Sequence, residues 1–278
     1  IARAIQETGI RGLTSNPTIF EKAIAAGNAY DEAVAELLTQ DVQDADIFES
    51  VAVADIQAAC DLFRDLYDSS NGGDGFVSIE VSPLGARDAE RTEADARRLW
   101  KSVNRPNLMV KIPGTLEGSP VIQQMLDEGI NINVTLLFSV EAYERVARAY
   151  IAALQARHAR GEPIDRIASV ASFFVSRVDA LVDKQLDALI QGATNEGKKA
   201  ELAALKGKAA VANAKLAYRS FQEIFSGSEW NTLVAASAKV QRPLWASTSV
   251  KNPAYPDTLY VDELIGPDTV NTMPRPTI

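Results

Sequence analysis

The sequence predicts an α/β fold, a parallel sheet wrapped by helices in the manner of a (β/α)8 barrel. Three observations carry that expectation. Short apolar runs alternate with amphipathic stretches along nearly the whole chain, and repeated strand–helix units imply a parallel sheet. The runs are almost continuously apolar, as strands covered on both faces must be. No strand is followed by G-x-G-x-x-G or a P-loop, so the open, doubly wound alternative fits less well. Seven strands are expected, and the opening Ile1-Ala-Arg-Ala-Ile-Gln6 reads as the middle of a helix. The expectation is therefore one domain over 1–278, a barrel without its first strand and incomplete at both ends.

In chain order, Gly9–Thr18 reads as a strand that breaks at Asn16-Pro17, because proline removes a donor and restricts the residue before it. Helices are expected over about 20–38 and 46–67, the second closed by the loop Ser69–Gly75. Phe76–Ser82 is the next strand and 92–103 its charged helix. Asn107–Pro113 is a strand, followed by a helix with Ser119 as cap, Pro120 in first position and Gly129 past its end. Ile130–Phe138 is a strand. The helix from Ser139 repeats Tyr143, Val146, Tyr150 and Leu154 at intervals of three and four. Ile167–Val175 is a strand and Val178–Leu189 a helix. The stretch 192–211 reads as loop and exposed helix, and 218–225 as helix. Arg242–Thr248 and Asp268–Met273 are the last strands, with a short helix at 261–265 between them.

A net charge of −9 leaves no basic stripe for nucleic acid, though a small anionic substrate needs only a few local cations. No apolar run approaches the ~18 residues that span a bilayer, and no charged-then-apolar leader pattern is read in the residues given. The single cysteine rules out a disulfide within the chain and suits a reducing cytosol. Cys60 falls in step with Ile56, Phe63 and Tyr67, so it is expected in the core. The one histidine, His158, sits in a charged helix end and is expected in solvent. With one of each, a Ser-His-Asp triad and a zinc site are both disfavoured.

The polar residues on or just after the apolar strands are Asn16, Glu80, Lys111, Asn133, Thr135, Ser172, Arg177 and Ser247. They gather toward the C-terminal strand ends, which form the catalytic rim of a barrel. Lys111 stands alone among Leu108, Met109, Val110 and Ile112 before a Pro-Gly-Thr turn. Burial disfavours an ammonium, so an inward lysine is poised to attack a carbonyl as a neutral amine; an end-of-strand lysine snorkelling to solvent fits this segment equally well. Glu80 lies on the adjoining strand. A structural ion pair and a proton-transfer pair both fit these two residues. Arg177 opens a helix, where free N–H groups and the dipole favour an anion. With Lys251 beyond the next strand, it suggests a phosphate clamp late in the barrel.

Five segments together resemble the transaldolase family: Thr14-Ser-Asn-Pro-Thr18, Ser78-Ile-Glu-Val81, Val110-Lys-Ile-Pro113, Asn131–Ser139 and Ala171–Arg177. They follow the family's order, one per strand, and the likeness runs from about Gly9 to Pro274. The resemblance implies a cytoplasmic barrel enzyme of the pentose phosphate pathway that uses neither metal nor cofactor. Such an enzyme moves a dihydroxyacetone unit from sedoheptulose 7-phosphate to glyceraldehyde 3-phosphate, giving erythrose 4-phosphate and fructose 6-phosphate. It further implies Lys111 as the Schiff-base lysine, Glu80 and Thr135 on the catalytic water, and Asn16 and Asn133 on the dihydroxyacetone hydroxyls. Ser172, Phe174 and Ser247 would line the pocket, with Arg177 on the distal phosphate. Lys251 stands near where many relatives carry an arginine. The family's base for carbon–carbon cleavage, an aspartate on the first strand, has no match here, and Glu7 is on a helix.

Two rivals remain open. Fructose 6-phosphate aldolase is a smaller relative that releases free dihydroxyacetone; Glu80, at a position where that branch looks to carry an amide side chain, and the chain length weigh against it. A non-catalytic sugar-phosphate-binding barrel, or one part of a fused polypeptide, is the other. Sugar phosphates are the expected partners, with no nucleic acid or membrane, and both monomer and homodimer fit.

Overall fold

The computed structural model of the chain describes residues 1–39 and 43–278. Among these the elements run α1 (Ala2–Glu7), β1 (Gly12–Thr14), α2 (Pro17–Ala25), α3 (Asp31–Leu38), α4 (Asp44–Leu62), α5 (Arg64–Ser69), β2 (Phe76–Glu80), α6 (Ala89–Val103) and β3 (Leu108–Pro113). They continue with α7 (Gly118–Asp127), β4 (Ile132–Leu137), α8 (Val140–Ala159), β5 (Ser169–Phe174), α9 (Ser176–Gly192), α10 (Glu196–Ala203), α11 (Ala209–Ile224), α12 (Ser228–Ala235), β6 (Arg242–Ala246), α13 (Leu259–Asp262) and β7 (Val270–Asn271). The seven strands form one sheet in the order β1 to β7, every neighbouring pair parallel. Each strand therefore lies beside its sequence neighbour. That is barrel-type winding, without the order reversal of a doubly wound sheet.

The sheet curls. Neighbouring strands sit ~4.8 Å apart, so in a flat sheet β2 and β4 would be separated by nearly 10 Å. Yet Asn133 on β4 donates to Ser78 on β2 at 3.0 Å. At the opposite end, Asp74 just before β2 pairs with both Arg11 at 2.6 Å and Arg242 of β6 at 3.0 Å. Those contacts draw the beginnings of β2 and β6 together across the concave side.

Side-chain alternation along each strand then divides the residues in two. Val77, Ile79, Leu108, Val110, Ile112, Ile132, Val134, Ala171 and Phe173 face outward into the main core. They meet Ile56 and Cys60 of α4, Leu99 and Val103 of α6, Ile122 and Met125 of α7, Tyr143, Val146 and Tyr150 of α8, and Phe221 of α11. The inward set is smaller. Phe76, Met109, Val170, Leu244 and Val270 close the floor with Ala168, while Phe174 and Ala246 continue this lining to the C-terminal ends of β5 and β6, and polar residues occupy the other inward places there.

All seven expected strands are present, and several helices differ from expectation. The stretch 20–38 is two helices, separated where Gly27 takes a positive φ of 144°. The 46–67 helix breaks at Phe63, whose ψ of 0° ends the α4 ladder. Ser119 does not cap α7: the helix starts at Gly118, whose N–H is taken by Thr115 Oγ1 at 2.9 Å, and Pro120 is its third residue. The stretch 192–211 holds more regular helix than expected, because α10 lies within it and α11 begins at Ala209. The buried face of α11 starts with Ala210, Val211 and Ala214, small residues that leave a weak periodic signal. Helix α12, anchored by buried Trp230 and Leu233, was not expected. Cys60 is fully buried and His158 exposed, as anticipated.

Candidate active site

The inward polar residues meet across adjacent strands because the sheet register aligns them. Glu80, Lys111 and Asn133 are direct partners across β2, β3 and β4. Lys111 lies on a strand buried along its whole length and is itself 8% exposed. Its Nζ is 2.9 Å from Glu80 Oε2 and 3.5 Å from the carbonyl oxygen of Ser15, at the end of β1. Ser172 on β5 donates to Asn133 Oδ1 at 2.7 Å, while Asn133 Nδ2 donates to Ser78. A single chain of hydrogen bonds thus runs from β5 through β4 to β2, and it fixes the Asn133 amide beside the lysine.

Thr135 occupies the next inward position on β4 and is fully buried, yet its hydroxyl has no partner among the described residues. Beyond it the ladder slips: register shifts between Val134 and Leu137, and Leu136 takes a positive φ of 62°. A bulge of this kind re-aims a strand end at the rim. A buried hydroxyl left unpaired costs about 1–3 kcal/mol, and Thr14 on β1 is in the same state.

Asn16 is half-buried and caps α2, accepting from Ile19 N–H at 3.0 Å. The cap uses its oxygen, and Asn16 directly follows Ser15, whose carbonyl faces the amine. Phe174 continues the inward face of β5 two residues past Ser172. Its ring lies 5.1 Å from that of Phe138, and the Arg177 guanidinium sits 5.0 Å above it. Arg177 is the second residue of α9, exposed, and in no ion pair among the described residues. Stacking on the ring orients it without neutralising it. Ser247, with a φ of 56°, turns the chain out of β6, and its Oγ is 3.0 Å from Ser176 Oγ. Lys251 stands apart from the lysine cluster, on the exposed loop that follows. Glu7 is exposed and paired with Arg3 at 2.7 Å, away from the cluster.

Thr14, Ser15, Ser78, Phe138 and Ser176 lie within the strand-end motifs, but the sequence alone assigns them no role. Alternation could have found two of them, since Ser78 precedes Glu80 by two residues and Thr14 is its partner on β1. The others act through a main-chain carbonyl, a ring contact and a position between strand and helix, none of which leaves a periodic mark. Among the described residues no group of three or more His, Cys, Asp or Glu side chains could hold a metal ion.

Polar residues gathered at the C-terminal ends of a curled parallel sheet are the construction of a barrel enzyme's catalytic rim. The chain belongs to the transaldolase/fructose-6-phosphate aldolase family, whose model matches residues 1–278. It is 53% identical over 274 residues to a transaldolase of Trichodesmium erythraeum, a match covering 99% of this chain and 72% of that protein. It is 50% identical over 278 residues to the transaldolases of Saccharopolyspora erythraea and Thermobifida fusca, covering all of this chain and 73% of each relative. The family indicated by the strand-end motifs is thus the one found, and the chain is an enzyme of the transferase class.

Proposed function

We propose that this chain is a transaldolase that moves a dihydroxyacetone unit between sugar phosphates through a Schiff base on Lys111. The observation that carries the mechanism is the buried 2.9 Å contact between Lys111 Nζ and Glu80 Oε2, aimed into the concave side of the sheet. This contact is both ion pair and proton path. When the ammonium proton passes to the carboxylate, the free amine attacks C2 of the ketose. The resulting carbinolamine loses water, with Glu80 returning the proton, and leaves an iminium. Thr135 and Glu80 hold that water, a use consistent with the unpaired Thr135 hydroxyl.

The iminium nitrogen then takes up the electron pair of the breaking C3–C4 bond as the C4 hydroxyl gives its proton to the cleavage base, and the first aldehyde leaves. Asn133, fixed by Ser172 and Ser78, and Asn16 hold the hydroxyls of the three-carbon unit. The enamine attacks the incoming aldehyde, and hydrolysis of the new iminium frees Lys111. Ser172, Phe174 and Ser247 form the wall, while Arg177, with Lys251, takes the distal phosphate. In the family pattern the cleavage base belongs to a further strand, whose place would be between β7 and β1, completing a single (β/α)8 catalytic domain.

The test supplies fructose 6-phosphate with and without erythrose 4-phosphate. Formation of sedoheptulose 7-phosphate only when the acceptor is present is the expected result. Release of free dihydroxyacetone at a comparable rate without acceptor would make the chain an aldolase instead.

A further inference from the structure

Helix α9 carries two carboxylates that the proposed chemistry does not use. Asp179 is 2% exposed and Asp183, one turn later, 8%. Asp179 Oδ1 accepts from Ala210 N–H at 2.8 Å and its Oδ2 from the Tyr260 hydroxyl at 2.8 Å. Asp183 repeats the pattern, accepting from Gly207 N–H at 3.0 Å and from the Tyr255 hydroxyl at 2.5 Å. Each carboxylate therefore joins α9 to the start of α11, at Ala210 or at Gly207 in the turn before it, and to Tyr260 of α13 or Tyr255 of the loop before it. Gly207 fits this junction for two reasons. Its φ is 70°, and a Cβ there would stand 2.8 Å from the Tyr255 ring.

The segment so fastened begins at Ser247 and includes Lys251. Its near end is already tied to the start of α9, with Ser176 N–H donating to the Ser247 carbonyl at 3.0 Å. Its far end is held through the two tyrosines and by packing of Leu259, Tyr260 and Leu264 on the main core. Between these anchors a cleft of about 520 Å³ is lined by Ser176, Asp179, Asp183, Lys251 and Tyr255. Arg177 is on the same helix, two residues before Asp179.

We infer that Asp179 and Asp183 are positioning residues for phosphate recognition, holding the Ser247–Tyr260 segment against α9 so that Lys251 and Arg177 serve one anion. Hydrogen bonds to ionised carboxylates are strong and directional, and paired bonds one helical turn apart fix both the position and the tilt of the segment. Burial and the Asp183 bond raise the Tyr255 phenol to about 12, so it remains a donor across the neutral range. The inference rests on the proposed reading of Arg177 and Lys251 as the phosphate clamp.

The experiment measures kcat/KM for glyceraldehyde 3-phosphate and for unphosphorylated glyceraldehyde, at fixed donor, in the full chain. The variants are Tyr255→Phe, Tyr260→Phe, the double variant and, in parallel, Arg177→Ala. Each Tyr→Phe change keeps the ring and removes only the bond. The double variant should lose about tenfold on the phosphorylated acceptor and hardly change on glyceraldehyde, with Lys111 still trapped by borohydride in the presence of donor. Equal loss on both acceptors would reduce the two aspartates to fold stabilisers, and no loss on either would remove them from recognition; both overturn the inference. If Arg177→Ala discriminates between the acceptors while the double tyrosine variant does not, the positioning role of the two aspartates is wrong and the phosphate reading of Arg177 stands. If Arg177→Ala affects both acceptors alike, the phosphate reading itself fails and the inference fails with it.

Discussion

The two faces of the sheet are made from the same strands and solve opposite problems. On β3, Leu108, Val110 and Ile112 point outward and are fully buried against helices, while Met109 and Lys111 point inward. The outward face gains stability from close packing. The inward face accepts a buried ion pair, an amide–hydroxyl chain and an unpaired threonine hydroxyl. Such groups seldom improve stability over apolar substitutes. Side-chain parity along a strand therefore separates residues kept for the fold from residues kept for chemistry.

The widest separation of the two faces is expected from Lys111→Ala, which should abolish both turnover and the covalent adduct while circular dichroism still reports a folded sheet. Persistent turnover would take the reaction away from the inward face. Second is Cys60, a nucleophile by type but carried on α4 and packed against the outward face of the sheet. Burial pushes its thiol up to about 12 from an ordinary 9.0, so alkylation in the native protein should be about a thousandfold slower than in urea. The folded thiol also holds its proton more tightly than the unfolded one. Its contribution to stability is thus level below pH 9.0 and falls as pH rises through about 12. Rapid native labelling would break the distinction.

Third, Ile112→Ala, outward and beside the lysine, should cost about 2–5 kcal/mol of unfolding free energy in a denaturant titration. Its KM for the donor should stay near that of the parent chain. A large KM change with little loss of stability would mean that the faces are not independent. The smallest effect is expected from Ser172→Ala, which removes one donor from Asn133. A KM increase of severalfold, with adduct formation retained, is the expected result in steady-state kinetics.

How much of this was legible beforehand follows the same division. The strands were plain, because continuous Val, Ile and Leu runs have few other uses. Lys111 and Glu80 stood out as charges inside such runs, and Arg177 as a cation at a helix start. Helix boundaries at Gly27 and Phe63 were hidden because the apolar rhythm continues across both breaks. The Ser78–Asn133–Ser172 chain was only half visible, since it needs the curl that brings β2 within reach of β4. Phe138 and the paired Asp179–Tyr260 and Asp183–Tyr255 contacts join segments distant in sequence, and no local pattern announces them.

The most direct measurement is borohydride reduction of the chain in the presence of fructose 6-phosphate, followed by peptide mapping. The account predicts one reduced three-carbon adduct, on Lys111, formed far more slowly in Glu80→Gln. An adduct on another lysine, or none under turnover, would contradict it.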